Sequence, residues 1–549
     1  YGLRVTEIPV SWVEDPGTTV NVLDTALKDL LGAHRVKKTI ASYITKLEIT
    51  KLTQHTSKLS WSDNLKLPGS LVVNSSVVQS NVLSSDFSNQ SKTASAKMSK
   101  SLYQNSRLSL IQKITVLALL AFSGLTFLVN LTVSGWANEF YSASAMAGAQ
   151  NWTAFLFGSL DPSNAISVDK PPASIWIMAL SIRMLGLSSF SILLPQALMG
   201  IASTALLYSL MRRYWGHTTG IFTGLIFTIT PVVALIFRYN NPDAFLTLLS
   251  IAIVACTLRA LEYSPTPKGC RFRTSWLAIA GFLIGVGFLT KQLQIFLIIP
   301  SYIITIMLFS PSGFIRRIVD VLITGLLALV SAGWWVLLTI IVPASQRPYI
   351  GGSQHNSFLE LTFEYNGFGR LTGNETGAVV GAYKTASQWG ATGGSRLLTE
   401  DFATQIAWFV PLAATGVIVG FLITMHTSRI DIRRASFILF STWFLTTWGV
   451  FSFMKGIFHE YYTVALAPPI SALAAIAIVG LYLTKSEQWS KFTIPLIVLF
   501  SSLITYGIII ANGNLVQIAN LVLAGGILSV ILYLLSNMIK CHTKILQTT

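Results

Sequence analysis

Long apolar runs, separated by polar segments, occupy the chain from Ile111 to near its end. Most are roughly 16 to 26 residues long, which suits a hydrocarbon core about 30 Å thick because a helix rises about 1.5 Å per residue. The pattern predicts about twelve membrane-spanning helices, and therefore an all-α polytopic membrane protein. The predicted spans lie near residues 113–133, 190–211, 219–237, 242–261, 275–290, 293–309, 317–342, 405–425, 434–453, 462–484, 492–511 and 514–536.

One further apolar segment, 172–187, is short and contains Arg183. Counting it as a span would put Arg212-Arg213 and the other basic loops outside, against the excess of Lys and Arg in cytoplasmic loops of membrane proteins. Treating it as an interfacial or re-entrant helix keeps those loops, and both termini, in the cytoplasm. This second arrangement is the preferred one. It places the polar segments around Glu139 and Asp169 on the extracytoplasmic face of a multi-pass cell-membrane protein.

The sequence before the first span divides into two regions of different composition. Residues 1–36 mix polar and apolar side chains and are too few to hold a hydrophobic core of their own. Residues 37–110 are rich in Ser, Asn, Thr, Gln and Lys, so they are predicted to be a disordered linker ahead of a membrane domain over residues 111–549. The chain starts at Tyr1 with neither a methionine nor a signal-peptide pattern, and we interpret it as a fragment of a longer product.

The overall composition supports the membrane assignment. Hydrophobic residues make up 52% of the chain and charged residues only 11%, which excludes an ordinary soluble globular protein. The formal net charge of +16 would suggest nucleic acid as a partner in a soluble chain, but here much of it lies in short loops between spans, and no nucleic-acid partner is expected. Cys256, Cys270 and Cys541 have no paired or metal-type spacing.

Three carboxylates stand next to predicted span ends. Glu139 follows the first span by a few residues, Asp169 lies in the same polar loop, and Asp243 begins another span. A carboxylate at such a depth could accept the proton of an attacking hydroxyl group. The alternative for Glu139 is a solvated carboxylate at the membrane surface.

Cationic side chains accompany these carboxylates. Lys170 and Lys291 could neutralise a phosphate as point charges, whereas Arg238 could bind one through a two-pronged contact. Together with the carboxylates they suit a site that binds an anionic phosphate and a polar acceptor. The alternative for each cation is a side chain that extends along the protein so that its charge reaches the membrane surface.

Four sequence elements, in this order and spacing, resemble the GT-C integral-membrane glycosyltransferases. They are Asn138-Glu139-Phe140-Tyr141, Val168-Asp169-Lys170-Pro171-Pro172-Ala173, Arg238-Tyr239-Asn240-Asn241-Pro242-Asp243-Ala244 and Phe288-Leu289-Thr290-Lys291. The resemblance covers roughly Ile111 to Leu483. It is strongest to the bacterial protein-O-mannosyltransferase and lipid A aminoarabinose-transferase group. It implies a GT-C type fold.

The resemblance also implies the reaction and its partners. A mannose-like or pentose-like sugar would move from a polyprenyl-phosphate carrier to a hydroxyl of a protein, lipid or cell-wall acceptor on the outer face. The family uses an acidic pair after the first span, whereas this chain has Asn138-Glu139. Glu139 is therefore the first candidate for the catalytic base, and Asp169 and Asp243 are possible substitutes. The substrate-binding residues implied are Asn138, Tyr141, Lys170, Arg238, Asn241, Lys291, His459, Glu460 and Tyr461.

Some relatives in the family hold a divalent metal ion near the phosphate, and no other cofactor is implied. The candidate ligands in this chain are Asp169, His459 and Glu460. A histidine that is simply hydrogen-bonded is the alternative for His459. The external segment from Pro343 to Asp401 is rich in aromatic residues and is either a sugar or acceptor surface or a cap over the cavity.

The first 36 residues carry a second resemblance. The stretch from Gly2 to Gly17 is similar to the tail of a family 2 glycosyltransferase of the polyprenyl-phosphate-sugar synthase type. No activity is expected from this remnant. Two alternatives to a transferase remain for the membrane domain. One is a transporter or flippase of lipid-linked sugars or small solutes. The other is an inactive scaffold, for which Asn138 gives some support.

Overall fold

The computed structural model describes residues 108–263, 266–374, 389–483, 490–511 and 516–548. The predicted remnant domain 1–36 lies outside the described residues, as does all but the end of the predicted linker 37–110. Both assignments therefore remain predictions. The first described helix begins at Leu110, after Ser109, whose side-chain oxygen accepts a hydrogen bond from the Gln112 amide.

The described residues form helices, and no strand occurs among them. Two isolated β-bridges join Ser159 to Ser167 and Ile166 to Tyr349. Shorter 3₁₀ and π segments connect the α-helices at Leu131–Ser134, Gln292–Ile298, Ala344–Gln346, Leu361–Phe368, Arg396–Leu398, Ala407–Phe409 and Glu460–Leu466. The α-helices of six residues or more are α1 (Leu110–Leu128), α2 (Glu139–Gln150), α3 (Trp152–Phe157), α4 (Ala173–Leu185), α5 (Ser189–Trp215), α6 (His217–Ile229), α7 (Pro231–Ile236), α8 (Pro242–Leu261), α9 (Pro267–Lys291), α10 (Ile299–Phe309), α11 (Phe314–Ile341), α12 (Glu400–Ile406), α13 (Val410–Thr424), α14 (Ile432–Phe453), α15 (Ala467–Leu483), α16 (Ser490–Ala511) and α17 (Val516–Thr548).

Ten helical stretches among the described residues are long and apolar enough to cross a membrane. This confirms the predicted all-α polytopic fold class. The predicted count of about twelve spans differs because two predicted spans, 275–290 and 293–309, fall within one helical stretch, Lys268–Phe309, and because the predicted span 219–237 is split into α6 and α7. The ten stretches are Leu110–Ser134, Ser189–Trp215, Pro242–Leu261, Lys268–Phe309, Phe314–Ile341, Phe402–Thr424, Ile432–Phe453, Glu460–Leu483, Thr493–Ala511 and Val516–Leu535.

The stretch Lys268–Phe309 reverses direction at Gln292, which has a left-handed φ of 47°. Its two limbs end side by side, because the Arg273 guanidinium on α9 donates a hydrogen bond to the Ser312 hydroxyl just after α10. Lys291 is therefore carried to the far end of the bundle, and the chain then returns through α10. Two passages across the bundle remain the better description of this stretch.

Helix α4 contains 13 residues, which gives it a length of about 20 Å. That is shorter than the hydrocarbon core of a bilayer, so a helix too short to span is observed where segment 172–187 was predicted to be interfacial or re-entrant. Arg183 on α4 donates to the Gly148 carbonyl at 2.9 Å and stacks over the Trp152 ring at 3.7 Å from its centroid. These contacts tie α4 to α2 and α3.

Small residues fix the position of α9 against α11. A Cβ atom at Gly281 would collide with the Thr324 carbonyl, and one at Gly285 would lie 2.5 Å from the Ser331 side chain. Both glycines therefore allow the two helices to pack closely. The close approach holds α9 rigidly, and with it the position of Lys291 at its end.

The helix bundle has a protein-buried centre and lipid-accessible edges. In the span Glu460–Leu483, 83% of the residues of its most apolar stretch are buried within the protein. The corresponding share is only 11% in each of Thr493–Ala511 and Val516–Leu535. At the start of the central span Glu460–Leu483, Tyr461 and Tyr462 lie against Lys291 at the end of α9.

Candidate active site

Two ion pairs gather at one end of the bundle. Asp243 opens α8 and pairs with Lys291, which closes α9. Asp169 and Lys170 form a second pair, 2.7 Å apart, in the loop before α4. Lys170 is close enough to Lys291 for each charge to act on the other. We call this cluster of Asp169, Lys170, Asp243 and Lys291 the four-charge site.

Asp243 is held at the start of α8 by its neighbours. Asn241 caps the helix, and its side-chain oxygen accepts the Asp243 amide hydrogen at 3.1 Å. The Asp243 carboxylate is fully buried, so it needs partners to offset the loss of water. Besides Lys291 it receives a hydrogen bond from the Gln294 amide at 3.1 Å. These contacts hold the Asp243 carboxylate in place within the four-charge site.

The Lys291 ammonium lies against aromatic faces. It sits 3.8 Å from the centroid of the Tyr462 ring and 5.4 Å from that of Tyr461. A cation over an aromatic face is attracted by the ring quadrupole. A cation in the last turn of a helix also interacts favourably with the helix dipole. Both effects hold a positive charge at the end of α9.

Lys170 is bound by a segment that is far away in sequence. Its ammonium donates to the Asn366 side-chain oxygen at 2.7 Å, and the Asn366 amide donates back to the Asp169 carbonyl at 2.8 Å. The ring centroid of Tyr365 lies 5.4 Å from the same ammonium. The Arg370 guanidinium lies over this Tyr365 ring, with its Cζ atom 4.5 Å from the centroid. The aromatic-rich segment that follows α11 thus contacts the four-charge site.

Burial and charge set the protonation of this pair in opposite ways. Burial acts to raise the pKa of the Asp169 carboxyl, but the charges of Lys170 and Arg370 outweigh it and hold the pKa below its usual value. Burial lowers the pKa of the Lys170 ammonium, with Asp169 opposing this shift and Arg370 reinforcing it. Asp169 is consequently an ionised carboxylate at neutral pH, ready to hold a cation.

The start of α2 is anchored to the loop that leads into α8. Asn138 caps α2 through its side-chain oxygen, and its amide donates to the Asn240 side chain at 2.7 Å. Asn240 donates in return to the Asn138 carbonyl at 2.9 Å.

Burial, followed by the charges of Asp169 and neighbouring groups, raises the pKa of Tyr141 well above its usual value. Tyr141 is thus a neutral phenol facing the four-charge site.

Glu139 occupies the first turn of α2 and is exposed. Among the described residues its carboxylate has no hydrogen bond or ion pair. Burial, together with the nearby Glu139 charge, raises the pKa of Tyr239. Glu139 therefore lies beside the loop that carries Asn240, with its carboxylate uncommitted.

Arg238 contacts the end of α1. Its guanidinium donates to the carbonyls of Thr126 and Val129 at 2.8 Å each and to that of Asn130 at 2.9 Å. The last carbonyls of a helix lack hydrogen-bond donors within the helix. The Arg238 guanidinium supplies donors to the carbonyls at this end of α1. A phosphate contact for Arg238 remains a prediction, whereas its contact with these carbonyls is observed.

His459 and Glu460 stand next to the central span. The His459 ring stacks on Tyr461 at 5.1 Å between centroids and meets Trp389 edge-on at 5.3 Å. Burial, followed by the positive charges of Arg370 and the two lysines, lowers the pKa of His459 to about 4. The imidazole is therefore neutral at physiological pH.

The three candidate metal ligands do not form a ligand set. No group of three His, Cys, Asp or Glu side chains converges closely enough to hold a metal ion in the described ranges. Asp169 is engaged with Lys170, and His459 lies between aromatic rings. A metal ion at Asp169, His459 and Glu460 remains a prediction, and no catalytic step is derived through it.

Sequence reasoning missed several residues of the site. Asn366 and Arg370 lie in the segment after α11, of which only the aromatic character was noted, as a sugar or acceptor surface or as a cap. Asn240 stood inside a quoted motif and Tyr462 directly follows Tyr461, but no role was assigned to either residue. Gln294 had no signal, because its place depends on the reversal of the chain at Gln292.

The assembled site has the chemistry of a phosphate-binding centre at the edge of an apolar bundle. Lys170, Lys291 and Arg370 supply positive charge, and Asp169 and Asp243 hold the two lysines in place. The aromatic rings of Tyr365, Tyr461 and Tyr462 line the same space. Aromatic faces are suited to the apolar face of a sugar or of a lipid chain.

The chain is similar to several known proteins. Residues 169–335 match the family described as dolichyl-phosphate-mannose-protein mannosyltransferase. The matched range begins at Asp169 and contains Lys170, Asp243 and Lys291. Two proteins of Bacillus subtilis (strain 168) are also similar to this chain. They are named "Putative mannosyltransferase YkcB", 28% identical over 70% of this chain, and "Putative mannosyltransferase YycA", 26% identical over 67% of this chain.

The chain spans 64% of the length of each of these two relatives. Among solved structures, ArnT from Cupriavidus metallidurans bound to undecaprenyl phosphate has a TM-score of 0.48 and 17% identity, covering 77% of this chain and 72% of that one. The archaeal oligosaccharyltransferase AglB from Archaeoglobus fulgidus has a TM-score of 0.44 and 13% identity, covering 76% of this chain and 56% of that one. The family match and the two relatives show that the chain is similar to proteins described as mannosyltransferases, in agreement with the resemblance found in the sequence.

Proposed function

We propose that this chain transfers a sugar from a polyprenyl-phosphate carrier to a hydroxyl acceptor at the four-charge site, on the extracytoplasmic face of the membrane. The observation that carries the proposal is the pair of lysines, Lys170 and Lys291, held by Asp169 and the fully buried Asp243 where apolar helices end. Mannose is the first candidate for the sugar, because the matched family and both relatives are described by mannosyl transfer. A pentose-like sugar is the second.

The lysines bind the phosphate of the carrier in this proposal. Each lysine is a compact charge on a flexible stem, so it can keep its aspartate partner and still turn a hydrogen toward a phosphate oxygen. Arg370, which acts electrostatically on both lysines, adds a third positive charge. The polyprenyl chain would then extend along the apolar helices while its phosphate stays at their ends.

The reaction is a single displacement at the anomeric carbon. The acceptor oxygen forms a bond to that carbon, and the bond to the carrier phosphate oxygen breaks, so the sugar leaves with inverted configuration. The departing phosphate gains negative charge, and the preorganised cations stabilise it most strongly at that point. They are therefore expected to supply much of the rate enhancement.

Glu139 is the proposed base that takes the proton from the acceptor hydroxyl. Its carboxylate is exposed and has no ion pair among the described residues, whereas Asp169 and Asp243 are each paired with a lysine. An uncommitted carboxylate can accept a proton without leaving a buried cation unpaired. Asp169, which is less buried than Asp243, is the substitute base, and Asp243 positions Lys291.

The aromatic residues are proposed to hold the sugar and the acceptor. Trp389, His459 and Tyr461 form an aromatic group beside the four-charge site, with His459 stacked on Tyr461 and edge-on to Trp389, and Tyr365 covers Lys170. A neutral His459 can donate or accept a hydrogen bond with a sugar hydroxyl without adding charge. The acceptor itself is a protein, a lipid or a cell-wall polymer that carries a hydroxyl group.

The test is sugar transfer by the full chain in membranes, with a panel of radiolabelled polyprenyl-phosphate sugars and wild type beside Glu139→Gln. Glu262→Gln serves as the matched control, since Glu262 contacts Arg213 and Arg259 at the other end of α8. The proposal expects donor consumption by wild type and Glu262→Gln and its loss in Glu139→Gln. Absence of transfer from every donor, with labelled lipid still moved across the bilayer, would instead identify a transporter.

A further inference from the structure

An open groove lies at the opposite end of the bundle from the four-charge site. It has a volume of about 440 Å³ and opens between the first turns of α9 and α11. This volume is within the usual range for small-molecule sites. The residues that line it are Cys270, Arg271, Thr274, Ser275, Ala278 and Arg316. We call it the α9–α11 groove.

The groove is rich in hydrogen-bond donors and positive charge. Arg316 donates to the Thr274 hydroxyl and pairs with Asp320 at 3.0 Å, so its guanidinium is held in place along one wall. Arg271 is exposed, and in the described part of the chain its guanidinium has neither an ion pair nor a hydrogen bond. Arg316, which is held in place, and Arg271, whose guanidinium has no described hydrogen-bond partner, together suit the oxygens of a phosphate group.

The charge around the groove is not neutralised locally. The carboxylate of Asp320, which is fully buried, is shared by Arg316 and by Arg273 at 3.1 Å. Arg317 follows directly in sequence and donates to the Met307 and Ser312 carbonyls, which carry no formal charge. The described side chains of this region therefore leave an excess of positive charge beside the cavity.

The polar groove continues into an apolar helix face. Residues 271, 275, 278 and 282 follow one another at helical spacing along α9, and they change from Arg and Ser to Ala and Phe. The Phe282 side chain is 53% exposed, and Ile279 beside it is 44% exposed. A free phosphate ion would use only the polar half of this surface. An amphiphile with an anionic head would use both halves.

We propose that the α9–α11 groove binds the headgroup of an anionic phospholipid, with Arg271 and Arg316 on the phosphodiester and an acyl chain along Ala278 and Phe282. Basic pockets between transmembrane helices bind anionic headgroups in this way. The site is separate from the four-charge site, because the 25-residue helix α9 places Arg271 and Lys291 about 30 Å apart. Its occupant supports the packing of α9 against α11 and takes no part in sugar transfer.

The groove contains its own reporter, the half-buried thiol of Cys270. The full chain, with Cys541→Ser to remove that second thiol, is purified in detergent, and the alkylation rate of Cys270 by a maleimide is measured. Cys256 is buried and contributes little background. Parallel samples contain phosphatidylglycerol, phosphatidylcholine or inorganic phosphate.

The expected result is that phosphatidylglycerol slows the alkylation several-fold, whereas phosphatidylcholine and inorganic phosphate do not. Arg271→Gln should weaken this protection about fivefold, since one basic contact is lost. Ser275→Glu, which adds a carboxylate to the groove, should abolish the protection. Arg434→Gln removes the same charge from α14, where Arg434 contacts the Thr427 carbonyl, and should leave the protection intact.

Equal protection by phosphatidylcholine would overturn the proposal in favour of unspecific lipid packing. Equal protection by inorganic phosphate would overturn it in favour of a free-anion site. Equal loss in Arg271→Gln and Arg434→Gln would show a diffuse surface effect and would also overturn it. Sugar transfer by Arg271→Gln is expected to match wild type, so failure of this proposal and failure of the proposed function are separable.

Discussion

Both ends of the bundle bury an aspartate against basic side chains, but the two ends use different cations. At one end Lys291 pairs with Asp243. At the other end Arg273 and Arg316 share Asp320 at 3.1 and 3.0 Å. Arg273 and Asp320 are both fully buried, and α9 connects the two ends over about 37 Å. The same helix thus carries an arginine anchor at its start and a lysine at its end.

The difference separates a structural ion pair from a reactive one. At the arginine end Arg273 and Asp320 form a closed pair, because both are fully buried and the Arg273 guanidinium also donates to the Ser312 hydroxyl. Arg316 joins this pair from the α9–α11 groove, and its guanidinium also donates to the Thr274 hydroxyl. The lysine group is open toward its surface, because Asp169 remains 26% exposed and the lysines lie against aromatic rings. Lysine can redirect its hydrogens to a phosphate, so chemistry is expected at the lysine end and stability at the arginine end.

The largest expected effect is on turnover at the lysine end. Lys170→Gln should reduce sugar transfer by about 100-fold or more, because it removes a charge that stabilises the departing phosphate. Lys268→Gln removes the same charge from the first turn of α9, where Lys268 is exposed, and should leave turnover unchanged. Radiolabelled transfer in membranes measures both. Equal losses in the two variants would remove the distinction between the ends.

The next effect is on stability at the arginine end. Arg273→Met leaves Asp320 with one partner, and breaking a buried pair costs about 3–5 kcal/mol. Thermal unfolding in detergent should therefore show a clear drop in the midpoint, while transfer per folded molecule stays close to wild type. If the folded fraction lost its transfer activity, the arginine end would have a role in the reaction.

A double substitution tests whether Asp243 and Lys291 act as a unit. Lys291→Met alone leaves a buried carboxylate unpaired and should lower stability, and Asp243→Asn added to it should recover about 0.5–3 kcal/mol of coupling energy. Transfer should remain lost in the double variant, because the phosphate-binding charge is still absent. Unfolding midpoints and transfer rates are measured side by side. Recovery of transfer would mean that the pair is merely structural.

The smallest effect concerns the aromatic neighbours of Lys291. Tyr462→Leu removes a cation–π contact of about 0.5–2 kcal/mol, so the apparent affinity for the donor should fall by about 2-fold to 30-fold. Tyr482→Leu changes an exposed tyrosine near the other end of α15 and serves as the control. Initial rates against donor concentration give the comparison. An unchanged donor affinity in Tyr462→Leu would mean that the Tyr462 ring does not help to position Lys291 for the donor.

The fold could be predicted largely because membrane spans are encoded locally. Runs of apolar residues predicted the positions of the long helices, and the short segment 172–187 forms a helix of only 13 residues. The predicted break between spans 275–290 and 293–309 coincides with the reversal at Gln292, although the left-handed φ of this residue has no sequence signature. The split of the predicted span 219–237 follows from Pro231, which begins a new helix after α6.

The site was predicted in part. The motifs identified Asp169, Lys170, Asp243 and Lys291, and these four residues come together as two ion pairs. Asn366 could not be found, because it contacts Lys170 from 196 positions away and no local pattern reports such a contact. Arg238 shows the opposite case. It has the right residue type within a motif, yet the described contacts of its guanidinium are with the carbonyls at the end of α1.

The most direct test of the account is sugar transfer from radiolabelled polyprenyl-phosphate mannose by membranes that contain the full chain, with wild type, Lys170→Gln and Lys268→Gln compared at equal amounts of folded protein. The account predicts transfer by wild type and Lys268→Gln and its loss in Lys170→Gln. Transfer that persists in Lys170→Gln at the wild-type rate would contradict a phosphate-binding role for the four-charge site.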